Sequence, residues 1–181
     1  MPRILLLLST VALLSASCSL YTQTSRLGVQ VQAYPSGIIP GIQIQHAWHD
    51  DDVFFTSLAA NITDRQDDGE HDNEEGDGFG LGFGYRKYQN TDRTGWLYGA
   101  RADFWNLTID WRDNAGPTSG STDVLIFQPT VEAGYAWLLG DGSWSLDLSA
   151  GLGAEINLDE DGEEVGDGAI LLVGFTFLYN G

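Results

Sequence analysis

The chain has 181 residues, with 26 acidic residues against 8 lysines and arginines and a formal net charge of −18. This length fits one domain, and the charge excludes nucleic-acid binding because a strongly negative surface repels a phosphate backbone. Glycine is abundant, with 23 residues, and aromatic residues reach 12% of the chain, a composition that favours many strands and turns over helices.

The first 17 residues are predicted to be an export signal. Arg3 supplies the positive charge, 4–14 is an apolar run and 15–17 are small residues, which is the order of regions in a signal peptide. The apolar run is too short to cross a bilayer as a helix. The lone cysteine, Cys18, follows directly. Residues 14–18 resemble a bacterial lipobox, which would make Cys18 a lipidation site; the alternative is ordinary cleavage before or after it.

Alternating residues predict three strands after the signal. Apolar side chains occupy every second position, with small or polar residues between them, and a period of two is the pattern of a β-strand. The predicted strands are 26–34, 41–49 and 53–62. Turns are expected at 35–37, where proline cannot donate to a ladder, and at the three aspartates 50–52.

Acidic residues concentrate in two later segments. Of the 26 acidic residues, eight lie in 64–77 and six in 159–167. Both segments are predicted to be solvated loops, because runs of like charge repel one another and remain in water. The first loop would follow the third strand and the second would precede the last strand.

The fourth and fifth predicted strands carry the most regular alternation and one irregularity. Segment 78–88 alternates aromatic residues and leucine with glycine, and the fifth strand begins at Trp96 with apolar residues at every second position. Around Trp105 the apolar set changes phase, so that Trp105 and Leu107 become apolar positions. Two explanations are open, a β-bulge or a strand that rises out of a membrane and changes its surroundings.

Two long alternating segments between positions 123 and 158 predict a membrane-spanning hairpin. They meet at the turn 140–142, and aromatic residues crowd that turn. A membrane strand needs about 9–11 residues, and these segments are long enough. Their polar face is mostly glycine and serine with isolated charges, which suits a narrow packed lumen better than the solvated exterior of a lipocalin. A last strand is predicted at 169–179.

Eight strands with alternating short and long connections predict an all-β, antiparallel up-and-down barrel over residues 26–179. In strand number, dyad repeat, aromatic girdle and loop alternation the chain resembles the small eight-stranded outer-membrane barrels of the OmpA-transmembrane and OmpX-like class. The resemblance implies a bacterial outer membrane as the location. It also implies outer-membrane lipid, lipopolysaccharide and the barrel-assembly machinery as partners.

Two sets of residues are candidates for a site. Charged residues on the polar face are predicted to form a lumen network, in which charges must pair or stay hydrated: Arg86, Arg101, Asp103, Glu132, Asp147 and Glu155. Aromatic residues beside the short turns are predicted to form an interfacial girdle: Trp48, Tyr85, Trp96, Tyr98, Trp137 and Trp144.

Metal and catalytic motifs are weak. Asp64, Asp68 and Glu75 partly fit a calcium-loop pattern, but strands rather than helices would flank that loop. A second expectation is that the acidic loops gather divalent cations near lipopolysaccharide headgroups. His46 and His49 are three residues apart on a predicted strand and would point to opposite faces. No His-x-Ser pair occurs on a predicted strand, and no cofactor or enzymatic activity is expected.

The favoured hypothesis is therefore a barrel with a packed polar lumen and acidic outward loops, in a structural or surface-interaction role. The alternatives are a narrow porin-like pore for small solutes, a lipid-modifying membrane enzyme, and a soluble lipocalin-like carrier of apolar ligands. In the carrier, the apolar faces of the strands would point into the barrel. Which face is apolar therefore separates that alternative from the others.

Overall fold

The computed structural model describes residues 25–66, 69–114 and 118–180. The predicted export signal and Cys18 lie outside these residues. Within them the chain forms eight strands: β1 Ser25–Tyr34, β2 Gly37–His49, β3 Asp52–Gln66, β4 Asn73–Tyr88, β5 Gly95–Arg112, β6 Ser119–Leu139, β7 Trp144–Asp161 and β8 Gly168–Tyr179. Each strand pairs with the next, and β8 pairs antiparallel with β1 to close the barrel. No helix in the described part of the chain is long and apolar enough to cross a membrane.

The connections divide between two rims. Connections 50–51, 89–94 and 140–143 lie with the start of β1 and the end of β8 on one rim, which we call the turn rim. Connections 35–36 and 162–167 lie on the other, the loop rim, together with the described parts of the connections after β3 and β5, which are residues 69–72, 113–114 and 118. The alternation of connections between two ends, predicted from the sequence, follows directly from the up-and-down order of the strands.

The strands reach further toward the loop rim than the sequence predicted. β3 and β4 stay paired as far as Gln66 opposite Asn73, and β7 runs to Asp161 opposite Asp123 of β6. More than half of the first predicted acidic loop is therefore strand, and the second begins only after Asp161, so the predicted bounds of both loops were wrong. The charges did not end the strands because the backbone ladder continues, and in β3 and β4 it places Arg65 and Glu74 inward while Asp64 and Glu75 remain exposed.

The predicted orientation of the strand faces is confirmed for the half of the barrel near the turn rim. Phe83 is 50% exposed and Leu148 47% exposed, whereas Glu132 of β6 is only 6% exposed. Large apolar side chains on all eight strands form a continuous outward belt. A lipocalin-like carrier has the opposite arrangement, so the orientation excludes that alternative.

The phase change at Trp105 is not a bulge. β5 pairs with β4 and β6 without a register shift along its length. The inward positions simply change from charged to apolar, and the outward positions change from apolar to polar, beginning with Asn106. The bulge is therefore wrong, and a change in the surroundings of the strand explains the pattern.

A hydrophobic core fills the interior near the loop rim. Trp105, Leu107 and Ile109 of β5 pack there with inward side chains of other strands. The remaining core residues are Tyr34, Ile39, Ala59, Val124, Ile126, Val165, Ile170 and Leu172. Val165 belongs to the connection 162–167 and is 2% exposed. This connection thus folds into the mouth of the barrel and helps to close it.

Candidate functional site

The first charge cluster lies in the middle of the barrel and centres on Arg86. Strand alternation places this side chain of β4 inward, where it is 1% exposed. Its Nε donates to Glu132 Oε1 at 2.5 Å and its Nη2 to Glu132 Oε2 at 3.1 Å. Its Nη1 donates to Asp147 Oδ2 at 3.3 Å. One guanidinium therefore links β4 to β6 and β7 across the lumen, using the fork geometry that a lysine lacks.

Neutral residues complete this cluster. The Tyr88 hydroxyl donates to Asp147 Oδ2 at 2.7 Å, and the Gln45 amide donates to the Tyr88 hydroxyl at 3.3 Å. The sequence analysis missed both residues, although each has the inward phase of its strand. A buried carboxylate needs several donors to offset its lost hydration, and Tyr88 supplies one to Asp147.

Arg101 and Asp103 form a second buried pair on a single strand. Arg101 Nε and Nη2 donate to the two carboxylate oxygens of Asp103 at 2.7 and 2.6 Å. The Phe55 ring lies between the two arginines, with its centroid 4.9 Å from Arg86 Cζ and 5.6 Å from Arg101 Cζ. Such cation–π contacts let a buried ring separate two like charges.

A third cluster lies near the loop rim. Arg65 Nη2 donates to Glu155 Oε2 at 2.8 Å, and Arg65 Nη1 lies 3.4 Å from Glu74 Oε2. Glu155 is therefore separate from the other predicted lumen charges. The sequence analysis missed Arg65 and Glu74 because both fell beside or within the segment predicted to be a loop.

Glu74 also fastens two loops to the barrel mouth. Its Oε1 accepts hydrogen bonds from the backbone N–H groups of Glu70 at 2.8 Å and His71 at 3.2 Å. The Gly166 N–H donates to both of its oxygens at 3.2 Å, and Arg65 Nη1 donates to the Gly166 carbonyl. Connections 67–72 and 162–167 are thus held together over the lumen by one buried carboxylate.

Large side chains occupy the interior of the part of the barrel that the structure describes. An eight-stranded barrel leaves an interior just wide enough for side chains to fill. Here the large side chains of Arg86, Tyr88, Phe55 and Trp105 are each at most 2% exposed. The charge clusters and the hydrophobic core lie one above the other along the axis, and together they fill the lumen.

The six residues predicted to form a girdle lie on the outward face near the turn rim. Trp48, Trp96 and Tyr98 are well exposed, and Tyr85 is half buried against Phe54. Trp137 and Trp144 lie either side of the turn 140–143. The structure adds Tyr135, which packs between Trp96 and Trp137 with ring centroids at 5.4 and 4.8 Å. Rings with one apolar and one polar end suit a membrane interface.

The weak metal candidates do not form a calcium loop. Asp64 of β3 lies directly opposite Glu75 of β4, and both are exposed on the outer face. Asp68 lies outside the described residues. No group of three or more potential metal ligands occurs among the residues that the structure does describe.

The three histidines lie in separate places. His46 Nδ1 is 3.0 Å from the Ser25 hydroxyl on the neighbouring strand, and no carboxylate contacts its ring within the described chain. This exposed pair lies at the turn rim. His49 contacts Asp52. His71 stacks on Trp111 with ring centroids at 4.1 Å.

His71 also ties two connections of the loop rim together. Its Nδ1 lies 3.1 Å from Asp113 Oδ1. Desolvation alone would raise the pKa of Asp113, but the hydrogen bonds from His71 and from the backbone N–H of Asp72 lower the pKa below its ordinary value. The carboxylate form of Asp113 therefore holds the connection 67–72 against the connection 113–118.

Comparison with known proteins gives a fold and no family. No protein-family model and no curated protein sequence matches the chain. The N-terminal β-barrel domain of Pseudomonas aeruginosa OprF matches with a TM-score of 0.50 and 12% identity, over 87% of this chain and 98% of that one. Neisserial surface protein A matches with a TM-score of 0.54 and 10% identity, over 87% of this chain and 96% of the other. The chain has the closed eight-stranded antiparallel fold of these small outer-membrane barrels.

Proposed function

We propose that the protein is an integral outer-membrane barrel with a sealed lumen, acting as a structural or surface-interaction component of the cell envelope and not as an enzyme. The turn rim and both chain ends would face the periplasm, and the acidic loop rim would face outward. Outer-membrane lipid would contact the apolar belt, lipopolysaccharide would surround the loop rim, and the barrel-assembly machinery would insert the chain.

The observation that supports this proposal most is the pairing of an outward apolar belt with an inward set of buried ion pairs. The belt on β5 runs from Trp96 to Phe104. This length matches the about 9–11 residues that a tilted strand needs to cross the hydrocarbon. Such a belt favours lipid over water as its surroundings, because soluble monomers rarely expose contiguous apolar patches of this extent.

The sealed lumen favours a structural role over a pore. Conduction needs a hydrated path, and the buried pairs of Arg86 and Arg101 together with the hydrophobic core support a lumen without one. Opening a path through the central cluster would require the Arg86 guanidinium to leave two carboxylates at once. Removing a buried charge from its partner costs about 3–5 kcal/mol.

Fractionation and planar-bilayer recording test the two parts of the proposal. The protein should remain in the outer-membrane fraction after salt and carbonate washes and should migrate faster on a denaturing gel when unheated. Purified protein in a planar bilayer should show no discrete current steps. Release by carbonate would contradict the membrane assignment, and repeated unitary openings would support the pore instead.

A further inference from the structure

The barrel wall has a notch on one side of the loop rim. β1 and β2 have 10 and 13 residues, whereas β6 has 21. β8 pairs with β1 only as far as Val173 opposite Ala33, but with β7 as far as Gly168 opposite Glu155. The short β1–β2 hairpin therefore leaves residues 168–172 of β8 without a strand on that side.

A cleft of about 260 Å³ lies in this notch. Tyr34, Pro35 and Ser36 form one wall, and residues 166–171 form the other. Arg65 and Glu155 also line it and close the inner end of the cleft through their ion pair. The lining thus combines apolar side chains such as Tyr34, Pro35 and Ile170 with polar ones such as Ser36 and Asp167, and it has a charged inner end.

Glu155 has an unused hydrogen-bonding atom in this cleft. The residue is 8% exposed, and its Oε2 accepts from Arg65. Its Oε1 is buried and has no hydrogen-bond partner among the residues that the structure describes. An unpaired buried acceptor costs about 1–3 kcal/mol, and more if it is charged, so a donor that reached this atom would recover that free energy.

The charge balance favours a cationic donor. Arg65 is the one cation in contact with Glu155 within the described chain, and it is shared with Glu74. Asp167 lines the same cleft. Two carboxylates on one guanidinium, with Asp167 in the same cleft, leave a net negative potential near the inner end. An anion would be repelled there.

We propose that this cleft binds an aliphatic ammonium group, with the ammonium against Glu155 and its methylene stem between Tyr34, Pro35 and Ile170. The volume is below the roughly 300–1,000 Å³ of sites for drug-sized ligands, which suits one unbranched stem. Two sources share this chemistry, a free diamine and the lysine side chain of an extended peptide. The notch gives either of them access from outside the barrel.

Calorimetric titration of the detergent-solubilised protein tests the proposal. 1,5-Diaminopentane and a short lysine-containing peptide are the two probes, and 1-pentanol is the neutral control. At least one amine should bind and pentanol should not. Glu155→Gln should weaken amine binding about 10- to 100-fold, because a hydrogen bond to a charged group is worth roughly 1.5–3 kcal/mol. The amine that binds with the higher affinity identifies the source of the ammonium group.

Asp159→Asn is the matched control, since it removes one carboxylate of β7 that is exposed and does not line the cleft. It should leave the affinity unchanged. Equal weakening by both variants would show attraction to the general negative charge and overturn the site. Failure of both amines to bind the wild-type protein would also overturn it.

A second variant keeps the test valid if Glu155→Gln does not fold. Ala169→Phe adds a ring at an exposed residue that lines the cleft, and it leaves Arg65 and Glu155 unchanged. This variant should lose amine binding while keeping its fast migration when unheated. Unchanged binding in this folded variant would place the amine elsewhere. Binding in detergent does not depend on the membrane assignment, so the two proposals fail separately.

Discussion

Single buried charged residues determine how the strands are linked across the lumen, and Arg86 is the clearest case. All three of its side-chain nitrogens donate to carboxylates of two other strands. A buried pair of this kind is weak support for stability compared with apolar packing, because desolvation offsets the attraction. Its consequence is specificity, since only one register of β4, β6 and β7 satisfies all of the charges.

Glu132→Gln should destabilise the barrel by about 3 kcal/mol. Breaking a buried pair costs about 3–5 kcal/mol. We expect the lower end of this range because Asp147 still contacts Arg86 in the variant. Urea unfolding in detergent, followed by tryptophan fluorescence, measures the free energy. Asp51→Asn breaks the half-exposed pair with Lys87 and is the control, with an expected cost below about 1 kcal/mol. Equal losses in the two variants would contradict the account.

Close packing between glycine and an aromatic ring is a second feature at this scale. A Cβ atom on Gly80 would lie 2.1 Å from Trp105 Cε3, and Trp105 is 1% exposed. The absence of a side chain on β4 is what makes room for the ring of β5. The alternation of glycine and aromatic residues in 78–85 therefore encodes interior packing as well as the outward belt.

Gly80→Ala should cost about 1–3 kcal/mol through overpacking. In a Trp105→Leu background the same change should cost about 1 kcal/mol less, because the clash with the ring is gone although the close approach to the Phe104 carbonyl oxygen, at 2.5 Å, remains. A double-mutant cycle measured by urea unfolding gives this coupling. Additive costs would show that the clash with Trp105 is not the cause.

At the scale of elements, the connection 162–167 acts as the closure of the mouth. Val165 packs into the hydrophobic core, Gly166 is held by Glu74 and Arg65, and Asn157 donates to the Val165 carbonyl at 3.0 Å. Local opening of such a segment should be governed by these few contacts. The segment is therefore a closed cover and not a freely solvated loop.

Val165→Ala should loosen this cover. Losing two buried carbon groups costs about 1.5 kcal/mol, so the Gly166 amide should exchange its hydrogen about tenfold faster. Hydrogen exchange read by mass spectrometry measures the effect on a peptide that contains the segment. Glu164→Ala, at an exposed position next to it, should leave the rate unchanged. An unaltered rate in the Val165 variant would mean that other contacts close the mouth.

Element boundaries show what the sequence could and could not predict. The alternation of 78–88 and 144–157 gave the strands and their faces because one side of each is lipid-like and the other polar. Beyond Trp105 the alternation continues with its phase changed, and the structure supports the second explanation offered by the sequence, a change in the surroundings of the strand. Asp64 and Glu75 were assigned to a loop because they are charged. The sequence could not show that they lie opposite each other on paired strands.

At the scale of the whole molecule, strand number and order follow from local patterns, but the lumen clusters depend on long-range register. Inward phase alone selected Arg86, Glu132 and Asp147, and it could not tell that Glu155 contacts Arg65 of a distant strand. The same set of strands therefore passes through two different surroundings along the barrel axis. Near the turn rim the exterior is apolar and the Arg86 cluster lies inside. Near the loop rim charged residues such as Asp64 and Glu75 join the outer face, and the interior holds a hydrophobic core beside the Arg65 cluster.

Spin-label accessibility along β5 tests the central claim most directly. Ala100 lies within the apolar belt and Thr108 beyond it, and both are exposed outward positions. Single cysteines at these sites, in a Cys18→Ala background, would carry nitroxide labels in protein reconstituted into liposomes. The account predicts that the label at Ala100 collides mainly with oxygen and the label at Thr108 mainly with a water-soluble nickel chelate. Preferential collision of the Ala100 label with the nickel chelate would contradict it.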